Sequence, residues 1–472
     1  MKSQSLVSSY IYIYIPLIPL LSLMEATGIY INKQILTKSQ SDIQEKMKEL
    51  EQKAWKTVGI EFLLSSPKQV SEILYDHLHL DKYIDIYTEK GSHRGTGEDI
   101  LQALSIHHPL PSILIAYRRL HKIETTYITG LLQYTTTSTN STSMYIYNNW
   151  NLCQTGTGRL STSQPNIQSL PKNSLLNEYE ESGIYINIRD ALGIERKGYI
   201  YISIDYKQIE MRVMGHYSQD IAMKTLFDNK KNDIYTNISS YIYNKPVSEI
   251  NKQERNKAKV ITLGLCYGMG SKEMANRLGI SLQESNTLKN TILKKFPGLS
   301  TFIRDTKLDA TKNNFISFFL VFNIYILYFY SLILFHIQTI FGRRRLLSTS
   351  TSRDQSLSAR EERQSVNSII QGTAADLLYS SMILLWNQLE QEEARIIMQI
   401  HDELIIECKD TPEKIERVTS ILKQVLEHDS LNYIKEHAPP CIPKRISTFS
   451  IPLDTSISVG HSLGTLVEYE EK

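Results

Sequence analysis

The sequence predicts an α+β fold in which a small antiparallel sheet accompanies a majority of helices. Of residues 199–204 (YIYISI), all but Ser203 are β-branched or aromatic, which is typical of a strand. Residues 396–400 (IIMQI) and 404–406 (LII) flank three polar residues, His401-Asp402-Glu403, as two strands flank a hairpin turn. By contrast, residues 25–130 mix charged and apolar residues at helical spacing. A chain of 472 residues with 41% hydrophobic and 22% charged content is typical of a globular protein with several lobes.

The two predicted strand ends each carry an aspartate. Asp205 follows the first strand directly, and Asp402 lies at the tip of the predicted hairpin. Two carboxylates on neighbouring strand ends can hold two Mg²⁺ ions about 3.5–4 Å apart, an arrangement that stabilises both oxygens of a phosphoryl displacement. Taken alone, each aspartate is more often a turn former or a helix N-cap.

A helical stripe lies between the two aspartates in the sequence. Arg255, Lys259, Leu263 and Tyr267 are spaced by four, so on a helix they form one slowly drifting line. A triphosphate could lie on the two cations while a base stacks against the apolar and aromatic residues. The alternative is a solvated basic face that runs into the core.

Together these segments resemble the family A DNA polymerases. Residues 201–212, 255–270 and 399–407 resemble motifs A, B and C of that family, and three further segments agree with it. The further segments are residues 157–168, similar to TGRLSSxxPNxQ; residues 187–191, similar to NIRDAF; and residues 362–376, similar to ERxxxNxxxQGTAAD. Within the family, residues 23–28, 108–111 and 342–345 look most like the eukaryotic theta and nu branch.

The resemblance implies a right-hand polymerase, with a palm of antiparallel sheet and helices, helical fingers and a helical thumb. The predicted divisions are an uncertain low-complexity N-terminus (1–24), a thumb-like helical region (25–150), palm in two parts (151–232 and 372–472), and fingers between them (233–371). Residues 135–149, rich in Ser and Thr, predict a surface loop. The polymerase-like motifs begin near residue 15, so we expect no proofreading exonuclease.

The resemblance also implies roles at the catalytic centre. Asp205, Asp402 and the main-chain carbonyl of Tyr206 would bind two Mg²⁺ ions, Glu403 would be an accessory carboxylate, and Lys259 would donate a proton to pyrophosphate. The expected dNTP-binding residues are Arg255, Lys259, Leu263, Tyr267, Gln208 and Glu210, of which Glu210 would block a ribose 2′-hydroxyl.

A second group is expected to contact the DNA primer-template by its shape rather than its sequence. Its members are Arg159, Asn166, Gln168, Arg343, Arg344, Arg363, Asn367, Gln371 and His401. Simpler interpretations exist for some of them. Glu210 could be an exposed helix charge, His401 a turn residue, and the arginine run a solvated turn, while Asn367 and Gln371 could pair with each other.

Several residues depart from the family pattern. Leu263 stands where the family has Phe or Tyr, Lys207 replaces a serine beside the metal site, Tyr379 replaces a lysine, and Leu463 replaces a tryptophan. Two alternatives therefore stay open: a catalytically impaired DNA-binding relic from a defective gene model, and a single-subunit RNA polymerase. Glu210 and Tyr267 argue against the latter.

Composition bounds the partners and the compartment. The four cysteines form no CxxC pair, which favours a reducing compartment and argues against a zinc site. The net charge of +2 is a weak sign of nucleic-acid binding, so any such binding depends on local patches. We expect a nuclear protein, with the mitochondrion less favoured, that acts in DNA repair; the sequence does not identify protein partners.

One segment resists this interpretation. Residues 316–336 (ISFFLVFNIYILYFYSLILFH) carry no Asp, Glu, Lys or Arg and are long enough, at about 1.5 Å per residue, for a helix to cross a bilayer. They interrupt the fingers, so our hypothesis is a translated intron; a lineage-specific insertion and a true membrane span are the alternatives. No stable membrane association is expected. Residues 1–14, with the run YIYIYI, are too short for a span and lack signal-peptide features.

Overall fold

The computed structural model describes residues 4–84, 94–137, 143–171, 187–228, 233–312, 336–346, 355–439, 442 and 448–470. Apart from His336, the apolar segment of residues 316–336 lies outside these ranges, so the intron hypothesis stays a prediction.

Helices make up most of the described residues. In chain order the α-helices are α1 Gln4–Ser9, α2 Ile15–Thr27, α3 Lys33–Val58, α4 Pro67–Ser71, α5 Glu98–Leu104, α6 Pro109–Lys122, α7 Thr129–Gln133, α8 Ile209–Ser218, α9 Ile221–Asp228, α10 Ile234–Tyr243, α11 Lys252–Cys266, α12 Ser271–Leu278, α13 Leu282–Lys295, α14 Pro297–Lys312, α15 Gln355–Gln388, α16 Pro412–Gln424 and α17 Ser430–His437.

The strands are short apart from three in the middle of the fold. In chain order they are β1 Ile29–Ile31, β2 Thr135–Thr137, β3 Met144–Ile146, β4 Asn149–Asn151, β5 Ser161–Ser163, β6 Tyr199–Tyr206, β7 His336–Gln338, β8 Arg344–Leu346, β9 Ala394–Ile400, β10 Glu403–Lys409, β11 Thr455–Gly460 and β12 Val467–Glu468.

The central sheet has the order β12-β11-β6-β10-β9, and every neighbouring pair in it is antiparallel. Strand β6 therefore lies between strands that come from much later in the chain. This antiparallel sheet within a helical majority confirms the predicted α+β class. The predicted hairpin is β9–β10. Strand β10 also pairs with β6, and this pairing places Glu403 opposite Asp205.

The two faces of β6 have different surroundings. Tyr206 is buried, its hydroxyl lies 3.0 Å from that of Ser381 on α15, and it donates to the carbonyl of Leu426. Because side chains alternate along a strand, Asp205 points to the opposite face from Tyr206. Ile202 and Ile204 are fully buried. The helix-covered apolar face therefore holds the sheet in place and leaves the Asp205 face for chemistry.

From Gln4 to Thr27 the low-complexity N-terminal region is a continuous helical segment. A π-helical turn, Tyr10–Tyr14, joins α1 to α2, and Ile13, Leu17 and Leu20 are buried in the main hydrophobic core. Two helices, Val7–Thr27 and Arg360–Gln388, are long and apolar enough to cross a membrane. Core helices and signal sequences meet the same criterion, so it is weak evidence for a membrane span. The expectation concerned residues 1–14 alone, whereas the helical segment continues through α2 to Thr27.

The predicted thumb-like region is helical and partly has its own core. The long helix α3 begins at Asn32, whose side chain accepts hydrogen bonds from Gln34 N and Ile35 N at 3.1 and 3.3 Å, and it packs against α6. A second hydrophobic cluster, which includes Leu74, Leu101 and Leu114, lies in this region. The loop expected at residues 135–149 instead contains β2, β3 and the first residue of β4.

Candidate active site

The two predicted carboxylates meet at one end of the central sheet. Asp205 ends β6, and Asp402 occupies the β9–β10 turn, where His401 has a left-handed backbone with φ of 57°. Both aspartates line a single cavity of about 430 Å³. The other described residues that line it are Arg159, Tyr206, Gln208, Ile209, Glu210, Met211, Tyr235, Leu263, Tyr267, Ile400 and His401.

A chain of polar contacts crosses this cavity. Arg159 Nη2 donates to Glu210 Oε1 at 2.9 Å and to Asp402 Oδ1 at 3.0 Å, and Tyr267 donates its hydroxyl to Glu210 Oε2 at 2.6 Å. Burial alone would lower the pKa of Arg159, but the carboxylates of Asp402 and Glu210 outweigh it and raise the pKa. Burial and the neighbouring Glu210 carboxylate raise the pKa of the Tyr267 hydroxyl. Arg159, predicted to contact duplex DNA, thus lies among the carboxylates of the site.

The oxygen donors at this edge of the sheet fit Mg²⁺. Glu403 is 7% exposed; its Oε1 accepts a hydrogen bond from Ser203, and its Oε2 has no hydrogen-bond partner in the described part of the chain. Asp205 and Asp402 line the cavity, and carboxylate oxygens are the ligands that hard divalent cations prefer. Within the described ranges, no three His, Cys, Asp or Glu side chains form a metal-binding group.

The two predicted phosphate-binding cations lie beside the cavity wall. Arg255 Nε donates to Asp233 Oδ2 at 2.8 Å, and the Arg255 guanidinium carbon and Lys259 Nζ each lie 5.8 Å from the ring centroid of Tyr235. Tyr235 lines the cavity, whereas Arg255 and Lys259 are not among the described residues that do. Gln208 also contacts Asp233, at 3.4 Å. Sequence reasoning missed Tyr235 and Asp233, because Asp233 reads as an ordinary N-cap of α10.

Lys207, the unexpected cation beside Asp205, is held away from the carboxylates that line the cavity. Its ammonium lies 3.6 Å from Asp454 Oδ2, and its main-chain N–H donates to the carbonyl of Asp454 at 2.8 Å. Lys207 is not among the described cavity-lining residues. In this structure the charge of Lys207 therefore pairs with Asp454 rather than with a carboxylate of the cavity.

Some of the predicted DNA-contacting residues are exposed, and some make hydrogen bonds within the protein. His401, Asn166 and Arg363 are exposed. The Asn166 side chain accepts from Gln168 N at 3.1 Å, and Gln168 Nε2 donates to Gln399 Oε1 at 2.7 Å. These bonds fix a polar surface next to the β9–β10 turn.

Two further members of this group lie on α15. Gln371 is half-buried, and so is Asn367, whose buried Oδ1 has no hydrogen-bond partner among the described residues. Their DNA-binding role, like that of the exposed group, stays a prediction.

Arg343 corrects the prediction of an arginine patch that binds phosphate. Its side chain is 8% exposed; Nε donates to Asp376, Nη1 to the carbonyl of Gly158 at 2.9 Å, and Nη2 to the carbonyl of Gly372. Gly158 has φ of 76°, and any β-carbon there would overlap the Arg343 guanidinium. All three of its nitrogens are thus used inside the protein. Arg345 is half-buried against Ser368 and Gln364, and the side chain of Arg344 lies outside the described part of the structure.

The sequence matches the family model described as DNA polymerase family A over residues 33–327 and 335–465. The chain belongs to the family A DNA polymerases. The match skips residues 328–334, inside the apolar segment. Relatives include the thermostable DNA polymerase I of Thermus aquaticus, 30% identical over 412 residues, and DNA polymerase I of Bacillus subtilis, 29% identical over 415 residues.

These alignments cover 87% and 88% of the chain but 45% and 43% of the two relatives, so the chain spans less than half of their length. Among solved structures, the polymerase domain of Pol1 from M. smegmatis, in complex with DNA primer-template and dNTP, superposes with a TM-score of 0.76. The identity is 26%, and the superposition covers 96% of this chain and 70% of that one. The family A polymerase fold expected from the motifs is thereby confirmed.

Proposed function

We propose that the chain is a DNA-templated DNA polymerase that adds dNTPs to a primer 3′-hydroxyl. The observation that carries the proposal is the shared cavity, where Asp205 and Asp402 lie with Glu210 and Tyr267. Carboxylates that can hold divalent cations next to an aromatic residue suit a nucleoside triphosphate. The family membership and the primer-template and dNTP bound to the M. smegmatis domain support the same substrates.

Each residue has a role in this proposal. Asp205, Asp402 and the main chain of Tyr206 would hold two Mg²⁺ ions, which when bound supply charge stabilisation to the attacking and leaving oxygens. Arg255 and Lys259 neutralise the triphosphate as it enters past Tyr235. Glu210, held by Tyr267 and Arg159, places a carboxylate where a ribose 2′-hydroxyl would need room.

The finer assignments rest on the sequence. We infer a theta- or nu-like enzyme of DNA repair in the nucleus from residues 23–28, 108–111 and 342–345. Within the second of these segments, His108 caps α6 by accepting a hydrogen bond from Leu110 N at 3.1 Å. Loss of damage tolerance on gene deletion would support the repair role, and unchanged damage tolerance would count against it.

Primer extension by the purified chain tests the proposal. We expect template-directed extension with Mg²⁺ and dNTPs, and about 10²-fold slower extension with NTPs, because the Glu210 carboxylate leaves no room for a 2′-hydroxyl. A preference for NTPs would favour the RNA polymerase alternative. A folded protein that binds primer-template without extending it would favour the relic.

The proposal includes the absence of proofreading by this chain. A mismatched primer incubated with Mg²⁺ and no dNTPs should keep its length over the time in which a matched primer is fully extended. Progressive shortening from the 3′ end would overturn this part and leave the polymerase assignment intact.

Replacing Leu263 by tyrosine is expected to lower the KM for dNTPs. Leu263 lines the cavity with an apolar side chain, and a flat ring at this place would add stacking worth about 1–3 kcal/mol, or roughly 5- to 150-fold in affinity. Steady-state extension of one nucleotide measures the change. Leu263→Met is the matched control, since it keeps apolar volume without a ring; an equal KM for the wild type and Leu263→Tyr would contradict the stacking argument.

A further inference from the structure

Arg159 shares one donor group between two carboxylates of the cavity. Its Nη2 lies 2.9 Å from Glu210 Oε1, and 3.0 and 3.3 Å from the two oxygens of Asp402. The side chains of Arg159, Glu210 and Asp402 are 24%, 11% and 24% exposed, so water screens these contacts little. Both carboxylate oxygens of Asp402, the predicted metal ligand, therefore face the positively charged guanidinium of Arg159.

The main chain of Arg159 is anchored, and its guanidinium keeps one buried nitrogen without a bond to any described residue. Thr155 donates its hydroxyl to the main-chain carbonyl of Arg159 at 2.7 Å, whereas Arg159 Nε is buried without a partner among the described residues. Apart from Asp402, its carboxylate partner is Glu210, whose other oxygen accepts from Tyr267 at 2.6 Å. A swing of Arg159 away from Asp402 thus leaves its charge on Glu210.

We propose that Arg159 is a positioning residue that competes with a divalent cation for Asp402. A cation bound through the Asp402 oxygens meets like charge at Arg159 and drives it wholly onto Glu210. The Arg159 guanidinium would then fix the Glu210 carboxylate, which the proposed function places next to the sugar of the nucleotide. This coupling rests on the proposed function in assigning Asp402 to the cation, and it gives Arg159 a task beyond contact with DNA.

Binding of Mn²⁺ to the full chain, without DNA or nucleotide, measures the competition through the electron paramagnetic resonance signal of free Mn²⁺. Arg159→Gln is expected to bind Mn²⁺ about tenfold more tightly than the wild type, an ordinary size for coupling between sites. In the Asp402→Asn background the same change should have no effect, because the contested oxygens are altered. Lys207→Gln is the matched control: it removes a cation two positions from Asp205 that contacts Asp454 instead, and it should shift the affinity far less.

Glu210→Gln supplies an independent arm should Arg159→Gln fail to fold. Without the Glu210 carboxylate, Arg159 has no other carboxylate to bind and stays on Asp402, so Mn²⁺ binding should weaken severalfold. This weakening should vanish in the double variant in which Arg159 is also glutamine. Unchanged Mn²⁺ affinity in Arg159→Gln, or an equal effect with and without Asp402, would overturn the inference. Primer extension by the wild type tests the polymerase assignment separately. If the wild type is active but Arg159→Gln leaves Mn²⁺ binding unchanged, only the coupling is refuted.

Discussion

Asp402→Asn is expected to abolish primer extension, lowering its rate by about 10³-fold or more. The amide keeps the volume of the β9–β10 turn but removes the negative charge that would hold a cation against the reacting phosphate. It also removes the charge that Arg159 bonds at 3.0 Å, so Arg159 keeps Glu210 as its ionic partner. Single-turnover extension under saturating dNTP measures the loss directly.

Asp410→Asn is the matched control for this variant. Asp410 directly follows β10 and is exposed, so the same chemical change falls on the same hairpin away from the cavity. Its extension rate should equal that of the wild type. An Asp402→Asn enzyme that retained more than about a tenth of the wild-type rate would remove Asp402 from the catalytic machinery.

Arg343→Met is expected to lower the free energy of unfolding by about 3–5 kcal/mol. Asp376 is fully buried; burial raises the pKa of its carboxyl, and Arg343 offsets part of this effect. Removal of one partner from a buried ion pair leaves the other charge without compensation, and this costs far more than loss of a surface pair. Urea unfolding followed by circular dichroism gives the difference from the midpoint and slope.

Two controls identify the cause of that loss. Arg345→Met removes two hydrogen bonds, to Ser368 and Gln364, from a half-buried side chain, and it should cost only about 1–2 kcal/mol. Combining Arg343→Met with Asp376→Leu should recover much of the lost stability, because the unpaired carboxylate is gone. If Arg343→Met unfolded at the same urea concentration as the wild type, the interior role of Arg343 would be refuted.

The sheet and the convergence of the two aspartates were predictable because they depend on local patterns. The strand YIYISI ends at Asp205, and the hairpin signal around Asp402 is carried by a few consecutive residues. Once both were assigned to antiparallel strands, their meeting at one sheet end needed only the strand order. The sequence predicts only that the two strand ends are neighbours, and β6 pairs with β10 in the structure.

The places of the arginines were not predictable because their partners are distant in sequence. Arg343 is bonded to Asp376, 33 residues away, and Arg159 to Asp402, 243 residues away. A run of three arginines after a glycine does not reveal which guanidinium is buried, since that depends on the packing of α15. Likewise, Ile13, Leu17 and Leu20 are core residues only because other parts of the fold cover one side of the N-terminal helical segment.

The position of β6 has a consequence for synthesis of the chain. Its neighbours β10 and β11 begin at residues 403 and 455, so a nascent chain carries β6 with both edges unpaired until about two hundred further residues have been synthesised. A strand of alternating tyrosine and isoleucine with open edges is a template for pairing with other chains. We therefore expect the yield of this protein to depend on shielding the eight residues of β6 during translation, and fragments that stop before residue 403 lack both strands that pair with it.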